Sequence, residues 1–127
     1  MPVKAVALAS DHWGIALKTA LSQSLRARGL KVLDLGPDSE DAVDYSDFAD
    51  KVAYEIMCGK AERGILICGS GIGMSIAANR HRQVRAALCR DVDSTRLTRQ
   101  HNDANVLILP GALIIESDAQ ACLGAFL

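Results

Sequence analysis

An apolar run, Ile65-Leu66-Ile67-Cys68, closes on three alternating glycines, Gly69, Gly71 and Gly73, and this feature restricts the fold more than any other. The run is short, aliphatic and uninterrupted, as expected of a strand buried on both faces of a parallel sheet. The glycines allow a tight turn with bare backbone N–H groups, and Met74–Arg80 reads as a helix leaving that turn. Such a helix N-terminus attracts anions, because its first N–H groups lack partners and its dipole favours negative charge. Cys68 stands at the mouth of this arrangement, where a thiol is expected to lose its proton more readily. A base beside a nest of donors suits chemistry that forms an oxyanion. The same cysteine also fits an inert place at the end of a core strand. A dinucleotide fingerprint needs a third glycine where this chain carries Met74 or Ile76, so a nicotinamide or flavin is not the expected ligand.

Strand and helix signals alternate along the whole chain. Strands are expected at Val3–Ala9, Leu30–Leu35, Ile65–Cys68, Val84–Cys89 and Val106–Leu109. Helices are expected at Ile15–Arg28, Ser46–Met57, after the glycine turn, at Ser94–Gln100 and at Glu116–Phe126. Gly36–Asp44 reads as an acidic loop. Five strands interleaved with helices imply a three-layer α/β/α sandwich around a five-stranded parallel sheet, Rossmann-like in plan. Ligands of such folds bind outside the carboxyl ends of the strands. Those ends deliver Ser10-Asp11-His12-Trp13-Gly14, Gly36 with the acidic loop, Cys68 with the glycines, and Arg90-Asp91.

The 127 residues suffice for one domain. A net charge of −1 offers no surface for nucleic acid or an anionic membrane. No apolar stretch approaches the ~20 residues of a membrane span. The four cysteines, at 58, 68, 89 and 122, lack zinc or redox spacing, and no metal or cofactor is expected. Free thiols without an export signal point to the cytoplasm.

Four segments carry a resemblance. Asp11-His12-Trp13-Gly14, Asp44-Tyr45-Ser46-Asp47-Phe48-Ala49, Cys68–Gly73 and His101-Asn102-Asp103-Ala104-Asn105-Val106-Leu107 stand in the order found in ribose-5-phosphate isomerase B and the galactose-6-phosphate isomerase subunits. The chain resembles that family from its first strand to about Leu109. The resemblance implies an aldose–ketose isomerase acting on a small sugar or sugar phosphate through a cis-enediolate. It implies Cys68 as base, since a glutamate used by part of the family is here Met74. It implies the N–H groups near Gly69, Ser70, Gly71 and Gly73, with the Ser70 hydroxyl, as holders of the enediolate oxygen. His101 is then the ring-opening acid, Asn102 a ligand of a sugar hydroxyl, and Asp11, His12 and Asp44 the rest of the polar wall. Asp11 and Asp44 equally suit helix caps, and Asn102 and Asp103 suit a turn. A homodimer or dimer of dimers follows from the same resemblance, with His101 reaching the neighbour's Cys68.

The chain also departs from the family pattern. An arginine expected after the His-Asn-Asp run aligns near Ala112, and residues 102–127 hold no Lys or Arg. The expectation is one domain over 1–127, without the family's basic C-terminal extension. Phosphate then falls to Arg90, Arg96 or Arg99, or the substrate carries none. Trp13 is an indole where a small residue is usual, and would narrow the pocket or stack on a sugar. Two alternatives stand beside the isomerase: a sugar- or anion-binding module without turnover, and a partner subunit of a hetero-oligomeric isomerase.

Overall fold

The computed structural model describes residues 2–37 and 44–127; most of the expected acidic loop, residues 38–43, lies outside them. Three strands are buried along nearly their whole length, which is why their sequences run apolar without alternation. They are β1 (Ala5–Ser10), β3 (Arg63–Cys68) and β5 (Val106–Pro110). The edge strands β2 (Lys31–Asp34) and β4 (Ala86–Leu88) are part-exposed. All neighbours pair in parallel, in the order β2-β1-β3-β5-β4.

Alternation along the central strands sends side chains to two cores. Ala7, Ala9, Leu66, Cys68 and Ile108 pack against α2 (Tyr45–Met57) and α3 (Ile72–Ala78). Leu8, Ile65, Ile67, Leu107 and Leu109 face the opposite core, with Leu21 and Leu25 of α1 (Ile15–Ala27) and Leu123 and Phe126 of α5 (Glu116–Phe126). α4 (Val92–Asn102) packs beside α5. The expected three layers are therefore present.

Two boundaries differ from expectation. β4 covers three residues where Val84–Cys89 was expected. The Asn79 side-chain amide takes the N–H of Ala86 at 2.9 Å and its C=O at 3.0 Å, capping an edge strand that would otherwise offer open backbone. α4 is longer than Ser94–Gln100: Asp91 caps its start through the Ser94 N–H at 2.7 Å, and Asp103, at φ 49°, ends it. His101 and Asn102 thus lie in its last turn. A buried lysine escaped notice in the sequence. Lys18, 2% exposed, donates from Nζ to Asp34 Oδ1 and to the Pro37 carbonyl, each at 2.8 Å, tying α1 to the exit of β2.

Candidate active site

β1 and β3 are neighbours, yet the connections from β1 and β3 leave toward opposite sides of the sheet. Their carboxyl ends therefore frame the crevice where open α/β sheets take ligands. Register brings Ser10 opposite Ile67, and Cys68 opposite Pro110, to one level. The Asp11 N–H donates to the Ile67 carbonyl at 2.9 Å, and the Gly111 N–H to the Cys68 carbonyl at 2.7 Å. Three exit loops are thus stitched together around Cys68.

Cys68 is 7% exposed at the end of β3. Gly71 adopts φ +81°, a left-handed conformation that only glycine takes without strain, and so bends the chain into α3. The turn aims the N–H groups of Gly71 and Met74 at the Cys68 sulfur, which favours its thiolate. Burial outweighs them. Desolvation pushes the thiol above its ordinary value and the Asp11 charge adds to the rise, so the expected acidic thiol is not what this setting makes.

The remaining donors of the turn are partly engaged. The Gly69 N–H donates to Asp11 Oδ2 at 3.2 Å, and the Ile72 N–H to Ser70 Oγ at 3.2 Å. The Ser70 N–H has no protein acceptor among the described residues. Asp11 also accepts from the N–H groups of Trp13 and Gly14 at 3.1 and 2.9 Å. It therefore caps α1's approach and clamps the glycine turn at once. His12 is part-buried, and its Nδ1 is sealed from solvent with no partner among the described residues. Asp44 acts as a cap: its Oδ1 accepts from the Ser46 N–H at 3.1 Å and hydroxyl at 2.7 Å, which hold its carboxyl below the usual range.

Tyr45 was not expected at the site. A Cβ on Gly73 would lie 2.8 Å from Tyr45 Cζ and 3.1 Å from its hydroxyl, so the phenol rests directly on the glycine turn. The motif segment containing Tyr45 was visible in the sequence, but this contact across 28 positions was not.

His101 and Asn102 sit elsewhere in the chain. α4 leaves the carboxyl edge at Asp91 and runs back to the amino edge, where Arg85 Nε donates to the Asn102 carbonyl at 2.7 Å. Asn105 joins that edge: its N–H donates to the Arg85 carbonyl at 2.9 Å, and its carbonyl accepts from Gly64 at 2.8 Å. From Gly64 to Cys68 the strand climbs roughly 13 Å at about 3.3 Å per residue. One chain does not bring His101 to Cys68. Of the arginines considered for phosphate, Arg99 is engaged at the amino edge with Asp103 at 2.9 Å and Arg96 faces Asp93 at 3.6 Å. Arg90, exposed just past β4, is the one at the carboxyl edge.

A cavity of about 650 Å³ lined by Leu35, Tyr54, Met57 and His81 lies beside α2 and includes none of the expected site residues. Among the described residues no three His, Cys, Asp or Glu side chains gather as a metal ion requires, and no helix is long and apolar enough to cross a membrane.

The profile of a family described as Ribose/Galactose Isomerase matches residues 6–127. Ribose-5-phosphate isomerase B of Escherichia coli (strain K12) is 44% identical over 105 residues, 83% of this chain and 70% of that protein. A crystal structure of a ribose 5-phosphate isomerase from Thermotoga maritima superposes with a TM-score of 0.94 at 48% identity, covering 97% of this chain and 85% of that one. Ribose-5-phosphate isomerase B from Mycoplasma genitalium, solved with bound ribulose-5-phosphate, gives 0.91 at 38% identity, over 96% of this chain and 82% of that one.

Proposed function

This chain belongs to the ribose/galactose isomerase family and is an aldose–ketose isomerase; from that premise we propose that Cys68 is its base, acting on a small sugar phosphate of the ribose 5-phosphate type. Cys68 takes the C2 proton of the open-chain aldose. The electron pair left behind forms the C1–C2 double bond, and the carbonyl oxygen takes up negative charge as a cis-enediolate. The proton returns to C1 while the C2 hydroxyl gives its own proton to O1, leaving the ketose.

The observation that carries this reading is the place of Cys68, a buried thiol at the end of β3 where the glycine turn opens α3, at the switch point of the sheet. A carbon acid next to a carbonyl is weak, and a thiolate whose conjugate acid is held high is a stronger base once formed. The developing oxyanion needs donors. The Ser70 N–H, which has no protein acceptor among the described residues, and the Ser70 hydroxyl are the donors that suit it.

Ring opening needs a side chain that can give and take a proton at the ring oxygen, and an imidazole such as that of His101 suits the task. The roughly 13 Å between the two sheet edges, at about 3.3 Å per residue, supports a site built from two copies of the chain. His101 and Asn102 of one copy then serve Cys68 of the other. Free thiols at Cys58, Cys68, Cys89 and Cys122 favour the cytoplasm as the compartment.

The test is proton exchange at C2 of ribose 5-phosphate in D₂O, followed by NMR. Cys68→Ala is expected to abolish exchange while calorimetric binding stays within a few-fold, since the lost interaction belongs to the transition state. Exchange surviving in that variant would assign the base to another group.

A further inference from the structure

Trp13 is the single tryptophan of the chain, and it is 80% exposed. Its backbone is fixed: the Trp13 backbone N–H donates to Asp11 Oδ1 at 3.1 Å, the same carboxylate whose Oδ2 receives the Gly69 N–H at 3.2 Å. The next residue, Gly14, is locked as well: its N–H donates to Asp11 Oδ1 at 2.9 Å, and a Cβ there would meet Ile67 Cγ2 at 2.9 Å. One carboxylate therefore sets the indole's backbone a few ångströms from the glycine turn that follows Cys68.

On the other flank the His12 ring lies 4.8 Å from the indole, tilted by 46°. His12 Nδ1 is buried without a partner among the described residues. An exposed apolar plate thus stands on the loop whose backbone Asp11 ties to a turn of backbone donors. That combination fits a molecule with one apolar C–H face and a rim of hydroxyls, as a sugar has. An indole is broad, rigid and amphipathic, and stacks without losing much rotamer freedom.

We propose that Trp13 is a specificity-determining residue, its indole receiving the C–H face of the sugar at the mouth of the Cys68 site. This rests on the isomerase reading above. It adds that recognition has an apolar component independent of any phosphate.

A lone tryptophan makes the test direct. In the non-reacting Cys68→Ala variant of the full chain, D-ribose 5-phosphate and D-ribose are both expected to change the indole fluorescence saturably, and inorganic phosphate is not. In the otherwise intact enzyme, Trp13→Ala is expected to lower kcat/KM about three- to tenfold, the size of an aromatic stacking contact, through KM rather than kcat. Trp13→Phe should recover part of the loss. Three outcomes overturn the proposal while leaving the isomerase intact: sugar binding seen by calorimetry without an indole response, a phosphate-only signal equal to that of the sugar phosphate, and an unchanged KM in Trp13→Ala. A fall in sedimenting mass with KM unchanged would assign the indole to a contact between copies. If neither sugar binds and the unaltered chain turns over nothing, the isomerase reading falls and takes the stacking role with it.

Discussion

The Asp11 carboxylate receives the Gly69 N–H at 3.2 Å and lies close enough to Cys68 to raise the thiol's pKa. One group therefore shapes the turn and weakens the acidity of the thiol beside it.

The pH profile follows from that pairing. Burial first, then the Asp11 charge, holds the Cys68 thiol above its ordinary value. The ascending limb of kcat/KM is expected above the usual thiol range of about 8.5. Asp11→Asn removes the charge and should move the limb to lower pH, although activity at the plateau falls as the turn loosens. Stopped-flow assays of both proteins across pH 6 to 10 measure it; a limb that stays put or moves upward contradicts the electrostatic account.

Two defective chains should repair one another. If His101 serves the neighbour's Cys68, co-expressed Cys68→Ala and His101→Ala chains form mixed pairs holding one intact site. Random pairing predicts about a quarter of the normal activity from two inactive parents. No recovery in purified mixed pairs would place both residues' work within one chain.

Arg85 is expected to act through the end of α4. Its Nε holds the Asn102 carbonyl at 2.7 Å, next to His101. Arg85→Gln should cost about 1 kcal/mol of stability, as one hydrogen bond does, and lower turnover of cyclic substrate several-fold. In a double-mutant cycle, adding it to His101→Ala should cost little more. Full additivity would mean that Arg85 acts elsewhere.

Preference for a phosphorylated sugar should depend on Arg90, the exposed arginine at the carboxyl edge. It stands two strands from β3, roughly 10 Å at about 4.8 Å per strand. A charge-assisted contact is worth about 1.5–3 kcal/mol, so Arg90→Gln should reduce the ratio of kcat/KM for ribose 5-phosphate over ribose by about ten- to a hundredfold. An unaltered ratio would leave the anion to backbone N–H groups and His12.

Alkaline solution should weaken the fold. Cys68, Cys89 and Cys122 are all raised, burial being the largest cause for each. Their thiols ionise first in the unfolded chain, so stability is whole below about pH 8.5 and declines as pH climbs through the raised folded values. Melting curves from pH 7 to 10 follow the decline, and alanine at 89 and 122 should flatten it.

The central strands were legible because β1, β3 and β5 are buried on both sides and leave uninterrupted apolar runs. β4 is shorter than its apolar run because only Ala86–Leu88 pair with β5 as a strand, and the Asn79 contact on Ala86 leaves no pattern in the strand itself. Asn102 and Asp103 suited a turn, but only Asp103 takes the left-handed conformation, and the helix carries Asn102. The glycine turn was plain in the sequence, and so was its power to favour a thiolate. The opposing influences were not, since burial of Cys68 and the nearness of Asp11 arise only when β1 pairs with β3. Tyr45 on Gly73, Lys18 on Asp34 and Arg85 on Asn102 likewise join positions far apart along the chain.

The course of α4 from one edge of the sheet to the other bears on how the enzyme behaves when scarce. If Cys68 at one edge is the base and His101 at the other opens the ring, a chain completes its reaction only on meeting a second chain. The rate per molecule then tracks the fraction paired, as mass action requires. Well below the dissociation constant of the pair, velocity grows as the second power of protein concentration, and a freshly diluted sample loses activity over the time its pairs take to separate. On that reading expression level would become a control on the isomerase, steeper than one catalyst per chain would allow.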